Sequence, residues 1–213
     1  DVGIKVDVNM VVSKKNKNHL RATAQLVKSL GIHHFNSTRA GCPGNCNDFG
    51  EYSLTLDEFR KYLSELHQIG RDEKIIVGVL ESYPLCAIKE VHRYKEFTGR
   101  RCLAGITSLT ITADGNIRPC CHLDVNCGNL LKEKLSVIWN NMENWRDGTF
   151  IPSICKSCQA LPWCGGGCRM EAKTRKGSID LPDPYISSED VGYVLTELSK
   201  SRLDPKKKNT IPN

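Results

Sequence analysis

Residues 155 to 168 place four cysteines within fourteen positions, at spacings C-x2-C-x5-C-x3-C. The surrounding stretch, 146–186, is rich in Gly and Pro and poor in periodic apolar pattern. Such a segment cannot assemble a large core, so it needs a cross-link. The chain holds 11 cysteines, an odd number, several of them clustered. That argues against a disulfide framework and for metal ligation in a reducing compartment. Sets of several thiolates are taken by zinc and by iron–sulfur clusters.

The first part of the chain has a different texture. Ile4-Lys-Val6-Asp-Val8-Asn-Met10 alternates apolar and polar residues and runs into Val11 and Val12, the pattern of a strand. A helix is expected from about Asn18, with Leu20, Leu26, Val27 and Leu30 on one side and Gly31 as its stop. Ile32 to Phe35 reads as a second strand. Thr55-Leu-Asp-Glu58 is a capping box, and Phe59, Tyr62, Leu63, Leu66 and Ile69 form the buried stripe of the helix it opens, with Gly70 as the end. Lys74 to Leu80 is the third strand. Strand–helix alternation implies parallel pairing, and three strands suit part of a larger barrel or sheet better than an independent domain.

With 213 residues, 39% hydrophobic and 25% charged, the chain is long enough for one good core or two small ones. No apolar run approaches the length of a membrane span. The first residues lack a signal-peptide layout, so the expected location is the cytoplasm. The formal charge is +6. Lys200, Arg202, Lys206, Lys207 and Lys208 against Asp204 concentrate +4 of it in the last residues. A solvated tail explains this better than nucleic-acid binding, since no aromatic residues alternate with the basic ones. Neither nucleic acid nor membrane is an expected partner.

A second cysteine array precedes the first. Cys102-x12-Gly115-x4-Cys120 sets one thiol on either side of Leu109 to Ile117, which reads as a hairpin with an Asp114-Gly115 turn. Pairing of its strands would draw Cys102 and Cys120 together. Cys86, Cys121 and Cys127 lie nearby, and Leu135, Ile138 and Trp139 mark a short amphipathic helix. The order Cys102, Gly115, Cys120, Cys155, Cys158, Cys164, Cys168 resembles the SPASM domain, the C-terminal extension of many radical S-adenosylmethionine enzymes. Pro119-Cys120, Gly128-Asn129 and Cys164-Gly-Gly-Gly-Cys168-Arg169 agree with it. The upstream α/β units resemble the last strands and helices of the radical S-adenosylmethionine barrel.

The resemblance implies a partial (βα) barrel over 1–84, a cysteine-rich α+β domain over 85–186, and a C-terminal helix and basic tail over 187–213. It implies two auxiliary [4Fe-4S] clusters. Cys102, Cys120 and Cys168 would hold the one nearer the barrel, with Cys86 or Cys121 as fourth ligand. Cys155, Cys158 and Cys164 would hold the outer one. The family's last cysteine, beyond Cys168, is missing here, so Cys127, Cys121, Asp183 or an open iron must complete that set; Cys127 is favoured. Cys164 and Cys168 would share a face on a continuous helix, but Gly165, Gly166 and Gly167 permit them to diverge.

The family's catalytic cluster needs C-x3-C-x2-C. Only Cys42 and Cys46 begin that way, and Phe49 occupies the third position. The chain therefore reads as the C-terminal portion of a longer enzyme, whose missing part would carry S-adenosylmethionine, a third [4Fe-4S] cluster and the hydrogen-abstracting radical. Implied partners are a peptide or protein substrate and an electron donor such as a flavodoxin or ferredoxin. The alternative is a non-catalytic, zinc- or cluster-stabilised binding or electron-transfer module. His122 beside Cys120 and Cys121 reads as a surface or supporting residue, and His33-His34 as packing or exposure.

Overall fold

The computed structural model describes residues 3–42, 49–187 and 190–191. A three-stranded parallel sheet, ordered β1 (Val8–Val12), β2 (His34–Arg39), β3 (Ile76–Val79), is built by the first units. Helices α1 (Leu20–Ser29) and α2 (Leu56–Glu73) make the crossovers. Val8 pairs with Phe35 and His34 with Ile76, so Phe35, Ser37 and Arg39 all face the helices and are buried. The opposite face carries Asn9, Val11, Asn36 and Thr38, none of them fully buried.

The α2 capping box forms as read: Glu58 N–H donates to Thr55 Oγ1, and Thr55 N–H donates to Glu58 Oε2. Its five stripe residues are all buried. Gly70 does not end the helix. A Cβ there would lie 2.8 Å from Val77 Cγ2, so the glycine lets α2 approach β3, and the helix stops at left-handed Lys74. Two other expectations need correction. Ile4 and Val6 lie outside β1 and are exposed, and α1 buries Leu20, Ala24 and Val27 while Leu26 and Leu30 face out. Spacing i, i+4, i+7 chose the buried stripe, and the larger side chains lost to it.

A second, antiparallel sheet holds β4 (Thr110–Ile111), β5 (Asn116–Arg118) and β6 (Gly128–Asn129). Gly115, at φ +83, makes the expected turn, and Asn129 donates to the Asp114 carbonyl. Helix α3 (Leu135–Asn140) buries Ile138 against Ile117 and Met142. Three further helices follow: α4 (Ser153–Lys156), α5 (Leu161–Cys164) and α6 (Arg169–Lys176). The main core runs from Val12 through Phe97 and takes in Ala160, Cys164 and Tyr185. The cysteine-rich segment thus shares a core with the parallel sheet. The expected helix from Ser187 and the basic tail fall almost wholly outside the described residues, as does Cys46.

Candidate metal centre

Cys155 lies in the single turn of α4, and the Cys158 N–H donates to its carbonyl at 3.0 Å. This tight turn aims both sulfurs to one side. Cys164 ends α5 and is buried. Cys86 enters from elsewhere: it sits buried in a 3-10 turn, Leu85–Ala87, and shares the main core with Cys164, against which Cys158 also packs. Burial, then repulsion from Cys164, Cys155 and Cys158, raises the Cys86 thiol far above its usual range. Cys155 is pushed up to about 11 by burial and by Cys164 and Cys158. Burial also raises Cys164, partly offset by the Leu85 and Gly166 N–H groups directed at its sulfur.

Cys168 leaves this group. It caps α6, and its thiol is pushed up to about 12 by burial and then by Asp183, with Cys102 also acting on it. Cys120 follows β5; burial raises it, the His122 N–H lowers it, and Cys121 and Cys102 raise it further. Cys102 thus acts on both Cys120 and Cys168, and Cys121 adjoins Cys120. Gly165, Gly166 and Gly167, at φ +61, +81 and +84, carry the chain from Cys164 to Cys168. Cys127 stands apart, packed against the Ile117–Ile138–Met142 cluster and raised by burial alone. Cys42 is buried, and its N–H donates to Glu171 Oε1 at 2.8 Å.

Thiols that raise one another in this way cannot ionise together unless a cation compensates. A metal reverses that balance and expels their protons. The surroundings already lean positive. Buried Arg169 acts on Cys155, Cys168 and Cys102, and anchors through the carbonyls of Gly166, Ile179 and Leu181. With Arg101 and Arg146 it lines a small cavity of about 60 Å³ against Cys102, Trp145 and Gly167. Asp183 is no bystander either. Its Oδ2 accepts from Cys168 N–H at 2.8 Å, its Oδ1 from Tyr185 N–H at 2.9 Å, and Arg39 lies 3.7 Å away. The roles of Arg39, Arg101 and Arg146 were not legible in the sequence, because nothing local ties them to a cysteine.

Sulfur spacing separates the metals. Zinc bonds thiolate at about 2.3 Å, so sulfurs on one tetrahedral ion lie about 3.8 Å apart. Among the described residues, no three of Cys86, Cys155, Cys158 and Cys164 have all their sulfurs within 4.8 Å of one another; only Cys120, Cys121 and His122 form so tight a group.

Residues 102–159 match the family model described as SPASM, an iron-sulfur cluster-binding domain. That stretch is similar to a SPASM domain. The likeness read from its cysteine spacing is thus borne out. The chain is 24% identical over 194 residues to an AdoMet-dependent heme synthase of Methanosarcina barkeri, covering 84% of this chain and 54% of that protein. A PqqA peptide cyclase of Rhizobium meliloti is 29% identical over 87 residues, covering 38% and 23%. The structure of Streptococcus suis SuiB superposes with a TM-score of 0.63 at 18% identity, covering 87% of this chain and 46% of that one. That of anSMEcpe with bound AdoMet and Kp18Cys peptide gives 0.56 at 16%, covering 91% and 56%. These superpositions cover most of the chain and show that it shares their fold. The chain spans about half the length of the heme synthases it matches. Among the described residues no helix is long and apolar enough to cross a membrane.

Proposed function

We propose that this chain is the auxiliary-cluster portion of a radical S-adenosylmethionine enzyme that modifies a peptide or protein. Residues 1–84 would form the last units of its (βα) barrel, 85–186 the SPASM domain, and 187–213 a terminal helix and tail. The observation that carries the reading is the gathering of thiols from distant segments into two sets. One would hold a [4Fe-4S] cluster on Cys102, Cys120, Cys121 and Cys168; the other would hold a second through Cys155, Cys158 and Cys164. Bound there, the clusters supply one-electron acceptance or a point of substrate ligation. The chain itself buries Cys155 and Cys164, half-buries Cys102, Cys120, Cys158 and Cys168, directs backbone N–H groups at Cys164, Cys120 and Cys168, and sets Arg169 where it acts on members of both sets.

The barrel assignment draws on the sheet. Parallel strands are ordinarily covered on both faces, yet here helices cover one face and Asn9, Asn36 and Thr38 mark a polar opposite face, as a barrel interior would. Arg39 and Glu81 stand at or just past the carboxyl ends of β2 and β3, where (βα) folds bind ligands. Glu81 Oε2 has no hydrogen-bond partner, and burial raises this carboxyl. A peptide substrate is supported by SuiB, whose structure is known with precursor peptide SuiA. A flavodoxin or ferredoxin would deliver electrons.

A second reading, a zinc-stabilised binding module, draws on the tight Cys120–Cys121–His122 group. Anaerobic reconstitution with iron and sulfide decides between them. The expected product is brown, with about four irons and four sulfides per cluster. A colourless, zinc-loaded protein would overturn the proposal. Cleavage of S-adenosylmethionine by this chain alone would overturn the assignment of the catalytic cluster to another part of the enzyme.

A further inference from the structure

The SPASM signature leaves the outer set one sulfur short, because no cysteine follows Cys168. Resting on the cluster reading above, we infer that Cys86, upstream of the whole signature, completes the set with Cys155, Cys158 and Cys164.

The other candidates are disposed of by their surroundings. Asp183 is fully buried and has each carboxylate oxygen taken by a backbone N–H. Turning it toward a metal would strip Cys168 and Tyr185 of their acceptors and Arg39 of its counter-charge. Cys127 lies in the separate small core beneath α3, with no thiol acting on it. Cys121 is exposed and adjoins Cys120 and His122.

Cys86 meets the requirement in three ways. It is buried in the same core as Cys164, with Cys158 packed against that core. The N–H of its neighbour Leu85 points at the Cys164 sulfur. The turn that carries it is fixed, with Ala87 N–H bonded to the Pro84 carbonyl and Ile88 N–H to that of Leu85. The turn is also docked on the glycine run: a Cβ on Gly167 would lie 2.9 Å from Pro84 Cδ. A ligand at 86 changes what the cluster does to the chain. A downstream ligand would close a loop within the SPASM domain alone. Cys86 instead ties the exit of β3, only a few residues past Val79, to the cysteine run, so outer-cluster occupancy and the position of Glu81 become mechanically linked.

The test uses the full chain, reconstituted anaerobically, as wild type and as Cys86→Ser, Cys86→His, Cys127→Ser and Cys155→Ser. Iron, sulfide and the EPR of the reduced protein are measured, with circular dichroism reporting the fold. Wild type should hold two clusters. Cys86→Ser should lose about half its iron, as Cys155→Ser does, because each cubane takes its own four ligands, and Cys127→Ser should lose none. Cys86→His should keep iron but shift the EPR of one cluster, a change that loss of packing alone would not produce. Iron content and EPR unchanged in both Cys86 variants would overturn the inference and leave the cluster reading standing. A wild type that takes up no iron and sulfide would overturn both.

Discussion

At Gly167 the backbone has φ +84, and a Cβ would meet Asp183 Cβ and Oδ2 at 2.8 Å and Pro84 Cδ at 2.9 Å. Neither neighbour can yield, since Asp183 is bonded on both oxygens and Pro84 is a ring. Gly167→Ala is expected to destabilise the folded chain by about 2–4 kcal/mol, the sum of a left-handed alanine and an overpacked contact. Urea denaturation at constant m-value measures it, and a change below 1 kcal/mol in order of magnitude would show that the turn relaxes freely. The divergence of Cys164 from Cys168 could be read in advance, because three glycines interrupt the helical spacing. The partner of Gly167 could not: Asp183 lies 16 positions away, in a segment whose only sequence signal is a pair of prolines. Asp183 was weighed as a ligand because of its position, whereas its hydrogen bonds make it a staple.

Among the elements, α2 was the most legible, since its signals are local. Its capping box satisfies two N–H groups, and its stripe repeats at helical spacing. Thr55→Ala should cost about 1 kcal/mol in urea denaturation. Glu58 also carries a pH signature. A hydrogen bond from Lys17, at 2.6 Å, and the Thr55 N–H lower its carboxyl to about 2 from an ordinary 4.5. Because the folded value is depressed, its contribution is complete above about 4.5 and is lost as pH falls through about 2. Wild type should therefore lose more stability than Glu58→Gln over that interval, and parallel pH curves for the two would refute the assignment. Helix α6 was missed for a different reason. Arg169-Met-Glu-Ala-Lys are good helix formers and Gly177 is a fitting stop, but the flanking glycines and prolines masked an eight-residue run. Gly70 misled in the opposite direction, because a glycine that admits a neighbour resembles one that ends a helix.

For the whole molecule, three long-range bonds fasten the cysteine-rich segment to the parallel sheet. Cys42 N–H donates to Glu171, Tyr185 Oη donates to the Leu54 carbonyl at 2.6 Å, and Arg39 faces Asp183. Arg39 also lies over Tyr185, 4.2 Å from the ring centroid. Burial opposes its charge, but Asp183, Tyr185, Glu171 and Glu81 together raise it, so it stays ionised in the core. None of the three fastening bonds spans fewer than 129 residues, beyond the reach of periodicity or spacing. The pair is a joint between the sheet and the segment that follows the cysteine run, and its members should not act independently. Asp183→Ala strands a buried guanidinium and two N–H groups, and is expected to cost about 3–5 kcal/mol. Arg39→Met removes the charge that Asp183 answers, but leaves Asp183 bonded to Cys168 and Tyr185. The double variant should therefore be less damaged than the sum of the two singles, because neither charge is then left alone. Urea denaturation of the four proteins in the cycle measures the coupling, and hydrogen exchange at 49–54 and 168–187 locates it. Simple additivity, with exchange rising in only one of the two segments, would show that the sheet and the C-terminal segment are held together elsewhere.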